Sequence, residues 1–240
     1  MPMFEWTPDM VRFMRDASEY GGYHEALARK IAAHLPPQAH VCDAGCGLGY
    51  LSLALAQLVG QVTAVDIAQQ AIAVLQNRVA ISGIGNIQAV RADIKDYLPQ
   101  KKYDAMVLCF FGSVCETLRI AKAQCSGTVV MIKRDWTGHR FSTEHMEARH
   151  TIADAQTQLT DLGIPYLSER FVLRMDQPFR SFEDAEAFFR VYGRGALKFS
   201  CTELVSRLVA QEDCEFPYRY PMENHLGMLV LRAGDIPAIQ

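Results

Sequence analysis

The stretch VCDAGCGLGYLSLALAQLVGQVTAVDIAQQ, residues 41–70, decides the fold. An apolar run over residues 39–44 predicts a short strand, which leads straight into Gly45, Gly47 and Gly49. Residues 50–59, rich in Leu and Ala, read as a helix stopped at Gly60. Residues 61–65 then predict a second strand, closed by Asp66. Strand, glycine turn, helix, strand is the unit from which parallel sheets are built.

The pattern continues on both sides. Upstream, Ala26, Leu27, Ile31, Ala32 and Leu35 fall on helical spacing over residues 26–35, and Pro36 and Pro37 end that helix. Downstream, residues 69–82 read as a helix with Gly83 as its C-cap. Strands follow over 87–91, 103–110 and 128–133, then a helix over about 143–162. The runs AMVLCF and TVVMI lack alternation, as strands buried on both faces do. The expected fold is α/β and doubly wound, with helices on both faces of a sheet. In such sheets ligands sit at the carboxyl ends of the strands, near the switch point. Asp43, Asp66, Asp93 and residues 109–113 all lie at such ends.

GxGxG is not the GxGxxG of dinucleotide binding, and a tight turn uses glycine for steric reasons alone. The acids around it carry more. Asp43 stands two residues before the first glycine, which disfavours an NAD-binding oxidoreductase. The helix from Tyr50 points its positive end at the turn. Asp66 stands where a carboxylate accepts from ribose hydroxyls.

VCDAGCGLG, followed by TAVDI and RADI, resembles the first three motifs of the class I S-adenosylmethionine-dependent methyltransferases. The resemblance covers residues 23–133 well and the rest in general layout. It implies a mostly parallel seven-stranded sheet with an antiparallel last strand, in one methyltransferase domain over residues 1–240. It implies that Asp43 and the backbone of Gly45, Cys46, Gly47 and Gly49 cradle the methionine portion of S-adenosyl-L-methionine. Asp66 would hold the ribose and Ile67 would pack on adenine. Asp93 would accept from the adenine amino group, assisted by the backbone of Ala92 or Ile94, and Cys109 would line the methionine end. Methyl transfer from a sulfonium needs alignment and dehydration more than a catalytic group. The alternative is a cofactor-binding regulatory protein of the same fold without transfer activity.

The acceptor is less legible. CFFGS after the fourth strand replaces the Asn/Asp-Pro-Pro-Tyr loop of the DNA and protein amide methyltransferases. KRDWTGHRFSTEHMEARH after the fifth reads either as a pocket for an anionic or aromatic small molecule, or as a solvated loop and helix face. His139 there is a candidate base. Residues 1–25 read as an N-terminal cap in which Trp6, Phe13, Tyr20 and Tyr23 face the methyl group, with His24 as a second candidate base, or simply pack the helix. Strands over 166–175 and 226–232 would form an edge hairpin, and residues 176–225 between them a helical insert. Ser181 to Asp184 reads as a capping box before Phe182, Ala185, Phe188, Phe189 and Tyr192. The insert is expected to roof the acceptor pocket, with Arg180, Arg190 or Arg194 meeting an anionic group; packing for stability or a homodimer is the alternative.

Composition sets the outer limits. The chain has 240 residues, 50% of them hydrophobic, which suits one substantial core. A net charge of −3 and the lack of a basic run argue against a nucleic-acid partner. No apolar run is long enough for a membrane, and MPMFEWTPDM predicts no signal peptide. Seven cysteines form no CxxC, and His145 and His150 share no helix face. Free thiols in a cytoplasmic protein without a metal are expected.

Overall fold

Strands with no polar face need cover on both sides, and the chain order supplies it. The computed structural model describes residues 5–136, 150–192, 201–212 and 215–238. Two helices come first, α1 (Pro8–Gly21) and α2 (Tyr23–Ala32), broken at Gly22. Then follow β1 (His40–Ala44), α3 (Tyr50–Ala56), β2 (Gln61–Asp66), α4 (Gln69–Ser82), β3 (Ile87–Arg91), β4 (Tyr103–Cys109), α5 (Val114–Gln124) and β5 (Cys125–Arg134). The helix expected over 143–162 is described as α6 (Ile152–Asp161); residues 137–149 lie outside the described residues. The last third holds β6 (Leu167–Arg174), β7 (Gln177–Phe179), α7 (Phe182–Tyr192), α8 (Cys201–Arg207), β8 (Val209–Ala210), β9 (Tyr218–Tyr220) and β10 (Glu223–Arg232).

The main sheet has seven strands in the order β3-β2-β1-β4-β5-β10-β6. Cys42 of β1 pairs with Thr63 on one side and Met106 on the other, both in parallel. The chain therefore leaves β1 in one direction, returns, and leaves in the other, so the switch point falls between β1 and β4. The strand β10 runs antiparallel to both neighbours, Val130 facing Val230 and Phe171 facing Leu226. Alternate residues feed two cores. Val41, Val107 and Ile132 pack under Leu27 and Ile31 of α2 and Leu55 of α3. Cys42, Met106, Leu108 and Met131 pack under Leu118 of α5 and Leu159 of α6. At the open edge, β6 is mostly exposed and carries Ser168, Glu169 and Arg170, which discourages further pairing.

Residues between β6 and β10 hold α7, as its apolar spacing predicts, and also α8 and a small antiparallel sheet ordered β7-β9-β8. The side chain of Asp184 closes on the N–H of Arg180, and Ser181 Oγ accepts from the Asp184 N–H, so the capping box is formed one residue wide of its usual shape. The small sheet and α7 pack on the N-terminal helix. Their apolar faces meet α1: Phe13 is fully buried among Phe179, Phe188, Phe189 and Leu204. Charges clasp the same junction. Buried Asp16 accepts from both terminal nitrogens of Arg180, and Arg12 Nη2 meets Asp184 at 2.7 Å. Arg180 is thus spent on Asp16 and Glu215 rather than offered to a ligand. Arg190 is exposed, and Arg194 lies outside the described residues.

Candidate functional site

The glycine turn is built from both of its neighbours. Gly45 and Cys46 donate to the Val65 carbonyl at 2.8 and 3.1 Å, tying the turn to β2. Gly45 has φ +73°, and a Cβ there would lie 2.5 Å from the Phe111 ring. Gly49 has φ +78°, and its Cβ would lie 2.4 Å from Leu75. Gly47, at φ +54°, shares the left-handed backbone, so all three positions favour glycine, and at two of them a side chain would also clash. The Gly47 N–H donates to Asp66 Oδ2 at 2.8 Å, while the Ala68 N–H donates to Oδ1 at 2.8 Å. One carboxylate braces the turn and the start of α4, with a further lone pair left on each oxygen.

At the switch point the turn opens into a cavity of about 220 Å³. It brings together Asp43, Gly45, Cys46, Gly47, Gly49 and Cys109, six of the residues singled out in the sequence. Asp66, Ile67, Ala92, Asp93 and Ile94 do not line it. They form a neighbouring ledge at the ends of β2 and β3, where Ala92 N–H donates to the Asp66 carbonyl at 3.0 Å. Ile67 is 44% exposed and Ile94 is buried. Asp93 caps its own loop, accepting from the Lys95 N–H at 3.0 Å.

The electrostatics of the cavity centre on Asp43. It is 1% exposed and, among the described residues, accepts one hydrogen bond, from Ser52 Oγ at 2.6 Å. Burial pushes its carboxyl up to about 6, the Asp66 charge adds to this, and Ser52 opposes it. The thiols of Cys46 and Cys109 are pushed well up by burial, so both stay protonated and neither acts as a nucleophile. Cys42 and Cys125 are buried and Cys115 is exposed on α5; these three, with Cys46 and Cys109, are free thiols. No group of three or more ligating side chains stands ready for a metal among the described residues.

The N-terminal aromatics divide between two tasks. Trp6, Tyr23 and His24 line the cavity, together with Met14. A Cβ on Gly47 would come within 3.4 Å of the Trp6 ring, so this indole lies over the turn. Phe13 and Tyr20 face away, Tyr20 bonding to Gln211 at 2.9 Å. His24 stacks on Tyr50 with ring centroids 5.5 Å apart, and its buried Nδ1 has no partner among the described residues. Burial pushes this imidazole down to about 4, leaving it neutral. His139 lies outside the described residues, as do Arg140, Phe141, His145 and Arg149.

Other residues of the site escaped sequence reasoning. Met175 and Asn224 join the cavity wall from the two ends of the insert, where nothing local marks them. Lys133 ends an apolar strand and is only 2% exposed; a lysine in that position reads as solvated.

Residues 41–126, from β1 to the first residues of β5, match the family model described as a methyltransferase domain. No curated protein matches the chain. Among solved structures the chain is similar to the YcgJ protein of Bacillus subtilis, at 13% identity and a TM-score of 0.56, covering 87% of this chain and 98% of that one. It is similar to magnesium protoporphyrin IX methyltransferase of Synechocystis with bound SAM, at 14% identity and a TM-score of 0.51, covering 95% and 86%. It is also similar to precorrin 8w decarboxylase of Methanobacterium thermoautotrophicum, at 18% identity and a TM-score of 0.52, covering 86% and 89%. At such identities the likeness is one of fold, and fold alone does not set the reaction. No helix among the described residues is long and apolar enough to cross a membrane. By its strand order the chain has a Rossmann-like fold, and across its glycine turn it matches a methyltransferase domain.

Proposed function

We propose that the chain is an S-adenosylmethionine-dependent methyltransferase acting on a small-molecule acceptor. The observation that carries this reading is the Asp43 carboxylate: buried in the cavity wall, hydrogen-bonded by one hydroxyl, and with no cation against it among the described residues. A carboxylate so placed is matched by an ammonium, which the amino-acid end of this cofactor carries. A volume of about 220 Å³ is below the roughly 300–1,000 Å³ of sites that enclose a whole ligand. It suits the methionine end. The ledge beyond suits the nucleoside, with Asp66 for the ribose, the exposed Ile67 as an apolar surface for the base, and Ala92, Asp93 and Ile94 around its rim.

When bound, S-adenosylmethionine supplies a methyl group already activated on a sulfonium. The chain's own residues align and dehydrate. Trp6, Tyr23, Met14 and the protonated Cys109 keep water from the methionine end. His24 can accept a proton at Nδ1 when the acceptor must lose one, though an imidazole pushed down to about 4 is a weak base. A small acceptor accords with the net charge of −3, which gives no phosphate-binding stripe.

Calorimetry with S-adenosylmethionine, S-adenosylhomocysteine and NAD tests the donor. Binding of the first two and not the third is expected; the reverse would end the proposal. Formation of S-adenosylhomocysteine from pooled metabolites then separates an enzyme from a protein that only binds.

The Asp43 carboxyl adds a pH signature. An ammonium favours the ionised form, so affinity is fully present above about pH 7 and falls as pH drops through about 6. A loss approaching tenfold per unit is expected below that point, and Asp43→Asn should flatten the profile. Titrations between pH 5 and 8 in which both proteins decline alike would remove Asp43 from the ammonium site.

A further inference from the structure

A second cavity, of about 390 Å³, lies beside the first at the ends of β4 and β5. Phe110, Ser113, Glu116, Lys133, Arg134 and His150 line it. Phe110 lines both cavities and is their shared wall. Its φ of +54° is rare outside glycine and is held by an N–H bond to the Ile132 carbonyl at 2.9 Å. The result is a large ring, 41% exposed, standing between the two spaces.

Lys133 is the unusual member. Its side chain is among the most buried in the molecule, at 2% residue exposure. Its Nζ donates to the carbonyls of Phe111 and Gly112 at 2.9 and 3.0 Å. An ammonium has three donors, so one remains. No carboxylate pairs with it among the described residues. Glu116, which faces it from α5, is held by Lys95 at 2.6 Å. A buried cation ordinarily has a counter-charge. Arg134 and His150 line the same space, and α5 presents its capped N-terminus, Ser113, to it.

We propose that this cavity is the subsite for a carboxylate or phosphate group carried by the methyl acceptor, with Lys133 Nζ as its cationic partner. The acceptor part of this assignment rests on the methyltransferase reading; the anion site itself does not. An acceptor anchored at Lys133 extends past Phe110 and presents its other end to the donor cavity. Anion affinity is also pH-dependent. Burial pushes the ammonium down to about 8, against smaller opposing effects of Cys109 and Glu116. The bound anion favours the charged form, so affinity is present below about pH 8 and is lost as pH rises through it. The groups facing Lys133 are the protonated Cys109 thiol from β4, the two loop carbonyls, Glu116 from α5, and Arg134 and His150 across the cavity.

The test uses the full chain and three probes of similar shape: benzoate, phenyl phosphate and the neutral benzamide. Dissociation constants from ligand-observed NMR titrations should show at least one anion binding tenfold or more tighter than benzamide. The tighter of the two identifies the group. Lys133→Met should abolish the preference, with benzamide unaffected. In wild type and in His150→Gln alike, the preference should fall up to tenfold per unit above about pH 8. Anions binding no better than benzamide would overturn the site. So would a preference that survives Lys133→Met, or one that disappears in Arg134→Met instead. If Lys133→Met does not fold, a wild-type preference unchanged between pH 7 and 9.5 overturns it equally. S-adenosylhomocysteine is titrated in parallel. Anion binding without it would sink the methyl-donor reading and leave the anion site standing; its binding without an anion preference would sink the site alone.

Discussion

Asp66→Ala is expected to weaken S-adenosylhomocysteine binding by at least about 100-fold. Two hydrogen bonds from ribose hydroxyls to a carboxylate are worth about 1.5–3 kcal/mol each, so roughly 3 kcal/mol is the lower bound. The same carboxylate also braces the Gly47 and Ala68 N–H groups, so a loss of affinity alone does not identify its cause. A cycle does. An analogue lacking the 2′-hydroxyl should bind the wild type more weakly than S-adenosylhomocysteine and bind Asp66→Ala equally well. If the analogue is penalised to the same degree in both proteins, Asp66 supports the turn without touching the ribose.

Phe13→Ala should cost about 3–5 kcal/mol, the usual range for emptying a buried phenyl site. The ring is fully buried and makes edge contacts with Phe188 at 5.2 Å and with Phe179 and Tyr192 at 6.4 Å. The loss is expected to fall on the union of α1 with α7 and the small sheet, leaving the main sheet intact. Limited proteolysis should then cut within the last third while far-ultraviolet circular dichroism stays near native. A urea midpoint equal to wild type would show that the junction is held by its charges, Asp16, Arg180, Arg12 and Asp184, rather than by this ring.

The elements readable in the sequence were those specified locally. Ile87–Arg91 and Gln69–Ser82 match their expected bounds because glycine and polar residues punctuate them: Gly83, at φ +67°, closes α4 by donating to Val79. The acids at the strand ends were legible for the same reason, since the position of a strand fixes where its last residue stands. What escaped is non-local. Strands of two or three residues, such as Val209–Ala210 and Gln177–Phe179, are too short to carry a period, and form because Tyr218–Tyr220 lies between them. The burial of Lys133 depends on two carbonyls from a different segment. The partner of Phe13 lies far along the chain, and no spacing rule connects them.

That distance has a consequence for how the cavity at the glycine turn exchanges its contents. Asp16 and Arg180 are separated by 164 positions, yet α1, which they secure, carries Met14, while Trp6 lies just ahead of it. A contact closing so long a loop costs chain entropy that grows only slowly with length, but it is regained all at once when the clasp parts. The clasp is therefore expected to open as a subglobal unit, at a lower free energy than the sheet beneath it. In native-state hydrogen exchange the amides of α1 and α7 should share one opening free energy, below that of β1 and β4. Ligand release would then follow the opening of this unit, a gate hinged on two parts of the chain and independent of the global unfolding of the protein.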